Sequence, residues 1–322
     1  MIKIILRALI SLSFIALLFY LMRDDIPRIA LALKNIHRPL FIISVGIAIL
    51  TNVIVARRLQ LIFGASDIFM KFSDAFNLTF VGFFFNNFLP TSVGGDIVKA
   101  LCASRVTGQA VKSVTSILMD RIFGLFSFVL IPSLSLLFIL RQITNPIVPS
   151  LVYSFLALSL FFFILLFNRG AARRFQFIEE MLKTFHLAEK TRKIYDSLHN
   201  FKNHKGVMLQ AILLSFLAQG LGIFVMYLVV ISLGAQTRLI YFYLIIPVVQ
   251  LLSMLPSLNG LGIREGAFVY FLSPYIGKET AAALGILWLG VLLLMSVIGG
   301  VIYLLRQDYH VRFTKAVSEE AG

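Results

Sequence analysis

The sequence predicts an all-α integral membrane protein, a polytopic bundle of about six full spans plus two broken re-entrant helical hairpins that form an inverted internal repeat. The chain of 322 residues is 59% hydrophobic and only 14% charged, whereas soluble domains are about 45–50% apolar and about 25% charged. Several apolar stretches have the ~20 residues that a membrane-spanning helix needs. Two similar segments rich in Pro and Gly interrupt the remaining apolar sequence.

Six uninterrupted apolar stretches are candidate membrane spans because each has the length and composition of a spanning helix. They are residues 4–22, 40–56, 113–140, 149–168, 207–233 and 280–305. The first is expected to remain as a helix rather than to be removed as a signal peptide, because no small-residue cleavage site follows it closely.

The whole chain, residues 1–322, is predicted to form a single membrane domain. Within it, repeat 1 covers 1–168 and repeat 2 covers 149–305, so the two overlap at one helix. Residues 169–206 are predicted to form cytoplasmic amphipathic helices, since their apolar residues recur at helical spacing between charges. A soluble helical hairpin is the alternative for this segment. Residues 306–322 are predicted to be a cytoplasmic tail.

Two polar segments interrupt the apolar sequence at 75–106 and 239–274. They read NNFLPTSVGGDIVKA, from Asn86 to Ala100, and MLPSLNGLGIREGA, from Met254 to Ala267. Proline removes a backbone donor and glycine permits sharp turns, so both segments should stop a helix. Freed backbone groups are tolerated at membrane depth only where they face protein or a water-filled cavity. The residues predicted to break the helices are Pro90, Gly94, Gly95, Pro256, Gly260 and Gly262.

The two interruptions share the pattern L-P-[ST]-x-x-G-x-x-I. Pro90 aligns with Pro256 and Gly94 with Gly260, in each case 166 residues apart. The neighbouring apolar stretches follow nearly the same offset. Broken helices in inverted repeats, with a site near the bilayer midplane, are typical of transporters.

Basic residues predict the orientation in the membrane. Residues 169–205 carry nine Lys or Arg against four acids, which places them in the cytoplasm. Both termini are predicted to be cytoplasmic, and the membrane to be the inner, cytoplasmic one. The first interrupted stretch then enters from the cytoplasm and the second from outside. This arrangement places loop 23–39 outside although it holds four basic residues.

The broken helices are predicted to bind an anion. New helices should begin near Asp96 and Ile263, and their N-terminal amides attract negative charge. Lys99 and Arg264 lie close to these starts and add full positive charges. A phosphate or phosphodiester head group is the natural ligand. Asp96 either takes part in this site or caps its own helix.

Other charged and amide residues near the breaks are also candidates. Glu265 either lines the pocket or serves as the salt-bridge partner of Arg264. Arg121 either pairs with Asp96 or a lipid phosphate, or anchors its helix at the interface by snorkelling. Three amides supply donors or satisfy freed backbone groups. The full set of predicted lipid-binding residues is Asn86, Asn87, Asp96, Lys99, Arg121, Asn259, Arg264 and Glu265.

Several functional classes are not expected. The five His show no metal-type spacing, so neither a metal nor another cofactor is predicted. The net charge of +14 fits loops that face anionic lipid, and no aromatic-interleaved basic groove indicates nucleic-acid binding. Membrane lipids that are anionic or carry phosphate are the expected partners. The sequence predicts no oligomeric state.

These motifs, together with the DRIFGL segment at 120–125, resemble the lysylphosphatidylglycerol synthase transmembrane region family, also called flippase-like domain proteins. The resemblance covers roughly residues 1–310. It implies a bacterial or archaeal membrane protein that handles lipids, with Asp96, Arg121, Arg264 and Glu265 as pocket residues. In bifunctional members a similar membrane half is fused to a soluble aminoacyl-transferase domain. This sequence ends shortly after its last predicted helix, so a stand-alone membrane domain without aminoacylation is expected.

Three functions follow as hypotheses. The first is translocation of an anionic phospholipid, a glycolipid or a polyprenyl-phosphate-linked lipid across the membrane. The second is a membrane-embedded enzyme that modifies lipid head groups, with Asp96 and Glu265 as acid and base. The third is a non-catalytic partner that recruits a separate glycosyltransferase or synthase through residues 169–205.

Overall fold

The computed structural model describes residues 26–88, 93–140, 147–167, 198, 201–254 and 260–309, and this part of the chain is all-helical. Its α-helices are α1 (Ile26–Lys34), α2 (Arg38–Ala65), α3 (Phe72–Phe88), α4 (Gly94–Thr107), α5 (Ala110–Ile139), α6 (Ile147–Phe167), α7 (Lys205–Ser232), α8 (Leu239–Leu252), α9 (Ile263–Ile276) and α10 (Lys278–Leu305). Short 3₁₀ turns at Phe201–Asn203 and Gln307–Tyr309 complete it.

Four of these helices, α2, α5, α7 and α10, are long and apolar enough to cross a membrane. They correspond to four of the predicted spans. The apolar helix α6 matches the predicted span 149–168. The predicted span 4–22, most of the amphipathic segment 169–206 and most of the tail 306–322 lie outside the described residues.

Helix α2 is longer than the predicted span 40–56. It runs on through Arg57 and Arg58 to Ala65, so the predicted end of this span at residue 56 is wrong. Arg58 is only 7% exposed. A charge is tolerated at this buried position because an acidic side chain on another helix lies against it. The local sequence around Arg58 does not reveal that acid.

The segment 23–39, predicted as an external loop, contains helix α1. Ile29 on this helix is buried against Ala282 and Ala283 of α10. Arg28 lies 3.2 Å from the carboxylate of Glu279. An apolar contact and an exposed ion pair therefore hold α1 against the start of α10.

Helices α3 and α4 form one antiparallel hairpin, and α8 and α9 form another. In the first hairpin the amide of Gly95 donates to Oδ1 of Asn86, across the tip, at 2.8 Å. In the second, the rings of Tyr241 and Tyr275 stack at the open end with centroids 4.3 Å apart. The helices end and restart at the two predicted interruptions. Pro90 and Pro256 themselves lie outside the described residues.

The two hairpins open at opposite ends of the long helices. The base of the first lies where α2 ends and α5 begins, and there Ser66 and Ser116 share a hydrogen bond of 2.8 Å. The base of the second lies where α7 ends and α10 begins. At that end the amide of His37, just before α2, donates to the carbonyl of Ser232 at 2.8 Å. The two hairpins therefore run in opposite directions along the bundle.

The packing partners of the hairpins are also matched. Helix α3 packs along α10, and α8 packs along α5, while α2 and α7 pack against each other. Each of these pairs joins one helix from the predicted repeat 1 to one helix from the predicted repeat 2. The hairpin tips, by which we mean the end of α3 with the start of α4 and the end of α8 with the start of α9, lie around one space within the helix bundle.

Candidate functional site

A cavity of about 420 Å³ lies between the hairpin tips and the long helices. Small-molecule sites are commonly about 300–1,000 Å³. The first hairpin contributes Asn86 and Asp96 to its wall, and the second contributes Met254 and Arg264. Helices α2, α5, α7 and α10 supply the remaining wall. The two segments that the sequence singled out therefore meet at one cavity.

Five charged side chains form a continuous row along one wall, which we call the ion-pair row. Nε of Arg58 lies 2.7 Å from Oδ1 of Asp120. Nζ of Lys99 lies 3.9 Å from the other oxygen of Asp120 and 2.8 Å from Oδ1 of Asp96. Nη1 of Arg121 donates to Oδ2 of Asp96. The row thus alternates cation and acid, and Lys99 joins its two halves.

The start of α4 positions Asp96. This helix begins at Gly94, and its N-cap residue Val93 makes no side-chain capping bond. The carboxylate of Asp96 binds Lys99, one turn along the same helix, and Arg121 on α5. Asp96 therefore bridges two cations, and its described contacts do not include a cap; its predicted part in an anion-binding site stays a prediction.

Asp120 and Arg121 are adjacent on α5, so their side chains point in different directions. Each has its own partner: Asp120 contacts Arg58, and Arg121 contacts Asp96. The side chain of Arg121 is 21% exposed. The structure therefore pairs Arg121 with Asp96, which is one of the predicted alternatives for this side chain.

Arg264 and Glu265 occupy the first turn of α9. Glu265 accepts a hydrogen bond of 2.7 Å from the amide of Gly262 and lies 2.5 Å from Nη2 of Arg264. Gly262 has a φ of +81°, a conformation that favours glycine. Arg264 lines the cavity although only 4% of it is exposed. Glu265 therefore fixes both the helix start and the guanidinium, which matches its predicted role as salt-bridge partner.

The predicted asparagines have different positions. Oδ1 of Asn86 satisfies the amide of Gly95, which is the predicted task of binding a freed backbone group. Asn87 donates to the carbonyl of Leu292 at 3.2 Å and to Oγ of Ser296, both on α10. Both asparagines also line the cavity. Asn259 lies outside the described residues.

Several cavity residues were not predicted. Nη1 of Arg58 donates to Oγ of Ser215 at 2.8 Å. The side chains of Gln219 and Gln250 bond to each other at 3.1 Å across α7 and α8. The sequence does contain a signal for these residues, since each is a polar residue inside an apolar run. Polar residues at membrane depth are candidates for a function. That criterion applied to whole helices would have identified these four side chains.

The tip of the first hairpin depends on the absence of a side chain at Gly95. A Cβ there would lie 2.1 Å from the carbonyl oxygen of Gly82. We expect Gly95→Ala to lower the free energy of unfolding by about 1–3 kcal/mol, because the two helices would have to separate. Gly266→Ala, near the start of α9, is the control, since a Cβ there meets nothing within 4 Å. Thermal unfolding in detergent compares them, and equal stability of the two variants would contradict the close approach.

A comparison with known protein families gives a match over most of the chain. A family model described as "Lysylphosphatidylglycerol synthase TM region" matches residues 4–300. The matched range contains both hairpins and every described residue of the cavity wall. No curated protein and no solved structure matches the chain.

Proposed function

The chain belongs to the lysylphosphatidylglycerol synthase transmembrane region family, whose members are membrane proteins linked to lipid metabolism, and from this premise we propose that it translocates lipids between the leaflets of a membrane. The lipid is an anionic one, bound by its head group in the cavity between the hairpin tips. The hydrocarbon chains stay in the bilayer.

One observation carries this proposal: the tips of two hairpins that open at opposite ends bring charges to one cavity. Asp96 and Lys99 come from the first hairpin and Arg264 comes from the second. A binding site at the meeting point of two oppositely inserted broken helices suits alternating access, because movement of either hairpin opens the site to one side. The matched packing of α3 on α10 and α8 on α5 supports an inverted repeat of this kind.

The charges suit an anionic head group. Helices α4 and α9 both begin beside the cavity, so their N-terminal amides add partial positive charge to that of the basic side chains. We further propose that the membrane is the inner, cytoplasmic one and that both termini are cytoplasmic. The excess of Lys and Arg in residues 169–205 supports this orientation.

Reconstitution in vesicles tests the proposal. Vesicles with the purified protein and a trace of fluorescent anionic lipid are exposed to dithionite, which destroys only the label in the outer leaflet. We expect the protein to increase the rate at which the inner-leaflet label is lost. Protein-free vesicles, and vesicles that contain heat-denatured protein, are the controls. No acceleration for any lipid in a panel of anionic phospholipids, glycolipids and polyprenyl phosphates would refute translocation.

The hypothesis of a head-group-modifying enzyme gains less support from the geometry. Asp96 and Glu265 would be its acid and base, yet each of them contacts a guanidinium within the described residues. Lipid mass spectrometry of a deletion strain separates the two functions. A missing lipid species would favour the enzyme, and an unchanged inventory with altered leaflet distribution would favour translocation. The third hypothesis is that residues 169–205 recruit a separate transferase. A pull-down with the full chain tests it, and capture of a transferase would support it.

A further inference from the structure

The segment that follows α10, which consists of Arg306 and the 3₁₀ turn Gln307–Tyr309, folds back onto the base of the first hairpin. We call this segment the strap. We propose that the strap locks the first hairpin in place, and that its release permits this hairpin to move. The lock stands on the contacts of the strap alone, whereas the link to movement rests on the proposed translocation function.

Charged contacts attach the strap to the first leg of the hairpin. Arg306 donates to the carboxylate of Asp74, which lies in the first turn of α3. The guanidinium of Arg306 also lies 3.8 Å from the carboxylate of Asp308 and 5.4 Å from the centre of the Tyr309 ring. The side chains of Arg306 and Asp74 are partly exposed. Arg306 therefore joins α3 to the turn of the strap through contacts that water can reach.

A buried side chain attaches the strap to the second leg. Tyr309 is 1% exposed and shares one apolar cluster with Leu78 of α3 and Cys102 of α4. Sγ of Cys102 donates to the carbonyl oxygen of Tyr309 at 3.4 Å. The same cluster includes Phe63 of α2 and Ile117 of α5. Because buried clusters are closely packed, the hairpin cannot shift against α2 and α5 while this cluster stays packed around Tyr309.

The hydroxyl group of Tyr309 makes the docking of the strap weaker than its position allows. This hydroxyl is buried, and it has no hydrogen-bond partner among the residues that the structure describes. A buried hydroxyl without a partner has lost its hydrogen bonds to water and has gained none in return. Release of the strap returns the hydroxyl to a polar environment. A large buried ring that carries one unpaired polar atom suits a contact that must open.

The only cysteine of the chain reports the release. Cys102 is buried against Tyr309, so a thiol reagent reaches it only when the strap or the whole fold opens. The purified full chain in detergent is treated with N-ethylmaleimide, and mass spectrometry follows the labelling. The fluorescence of Trp288, the only tryptophan, reports global unfolding in the same samples. Labelling that precedes a change in this fluorescence measures a local opening.

Two substitutions should shift the release in opposite directions. Arg306→Gln removes the contacts to Asp74 and to the ring of Tyr309, and we expect it to speed labelling about fivefold, since such contacts are weak where water has access. Tyr309→Phe keeps the ring and removes the unpaired hydroxyl, and we expect it to slow labelling about fivefold. Arg28→Gln is the matched control. It breaks an exposed ion pair at the other end of α10 and should leave labelling unchanged.

The labelling results decide whether the strap locks the hairpin. The lock would be overturned if Arg306→Gln were labelled no faster than the wild type, or if Tyr309→Phe were labelled no more slowly. It would also be overturned if Cys102 reacted only as the fluorescence of Trp288 reported unfolding.

The dithionite assay decides whether release permits movement. We expect Arg306→Gln to speed translocation and Tyr309→Phe to slow it, each by about the factor seen in labelling. If labelling shifts as expected while both variants translocate at the wild-type rate, the strap is a structural contact and its gating role fails. If the wild type moves no lipid, the proposed function and the gating role fail together, and labelling still decides whether the strap locks the hairpin.

Discussion

Replacing Arg264 by Gln is expected to slow lipid translocation by about 100-fold, to a rate close to that of protein-free vesicles. Arg264 is the cation that the second hairpin contributes to the cavity, and it is 4% exposed. A charge-assisted hydrogen bond in a site shielded from water is worth up to about 3 kcal/mol, and that energy corresponds to about 100-fold in rate. The dithionite assay with labelled phosphatidylglycerol measures the effect.

A second variant separates the site charge from the stability of the fold. Arg264→Gln leaves Glu265 without its cation, so some loss of folding is expected from that variant alone. The double variant Arg264→Gln with Glu265→Gln removes both charges and should recover stability while translocation stays slow. Arg28→Gln is the control, because its pair with Glu279 lies on the surface, with the Arg28 side chain 74% exposed. If the double variant translocated lipid at the wild-type rate, Arg264 would not be a lipid-binding residue.

Replacing Asp120 by Asn is expected to lower the free energy of unfolding by about 3–5 kcal/mol, because the change leaves a buried guanidinium without its acid. Asp120 is 4% exposed and lies 2.7 Å from Nε of Arg58, which is itself buried. Lys99, at 3.9 Å, loses part of its compensation as well. Denaturation in detergent micelles, followed by the fluorescence of Trp288, measures the change.

An exposed pair provides the comparison. Asp67 lies 3.8 Å from Lys112 with its side chain 83% exposed. Asp67→Asn should therefore cost less than about 1 kcal/mol. The double variant Asp120→Leu with Arg58→Met replaces the whole buried pair by apolar groups and should recover most of the lost stability. If Asp120→Asn were no more destabilising than Asp67→Asn, the buried guanidinium of Arg58 would not depend on the charge of Asp120.

The helix breaks could be predicted from sequence because their causes are local. Pro90 in one segment, and Pro256 and Gly262 in the other, disfavour a continuous helix through their own backbone preferences. The structure accordingly ends α3 at Phe88 and begins α9 at Ile263. The lengths of the helices were harder to predict from sequence, because the same apolar composition suits a helix of about twenty residues and one of 28 residues.

The pairings within the cavity could be predicted only in part. Asp96 and Arg121 were identified because charged residues are rare in apolar sequence, and their pairing was one of several alternatives. Arg58 lies beyond the predicted span 40–56, because two adjacent arginines interrupt the apolar run there. Its true position depends on Asp120 and Ser215, which lie 62 and 157 residues away. Contacts across such distances follow from tertiary packing, which no local pattern encodes.

The position of Arg58 inside α2 has a consequence for biogenesis. Ribosomes add about 5–20 residues per second, so Asp120, which follows 62 residues later, emerges about 3–12 s after Arg58. During this interval α2 reaches the translocon without its counter-ion. Because Arg58 lies seven residues before the end of the helix at Ala65, its long side chain can extend to the lipid head groups in the meantime. We expect α2 to sit shallow in the bilayer at first and to reach its final depth only when α5 arrives.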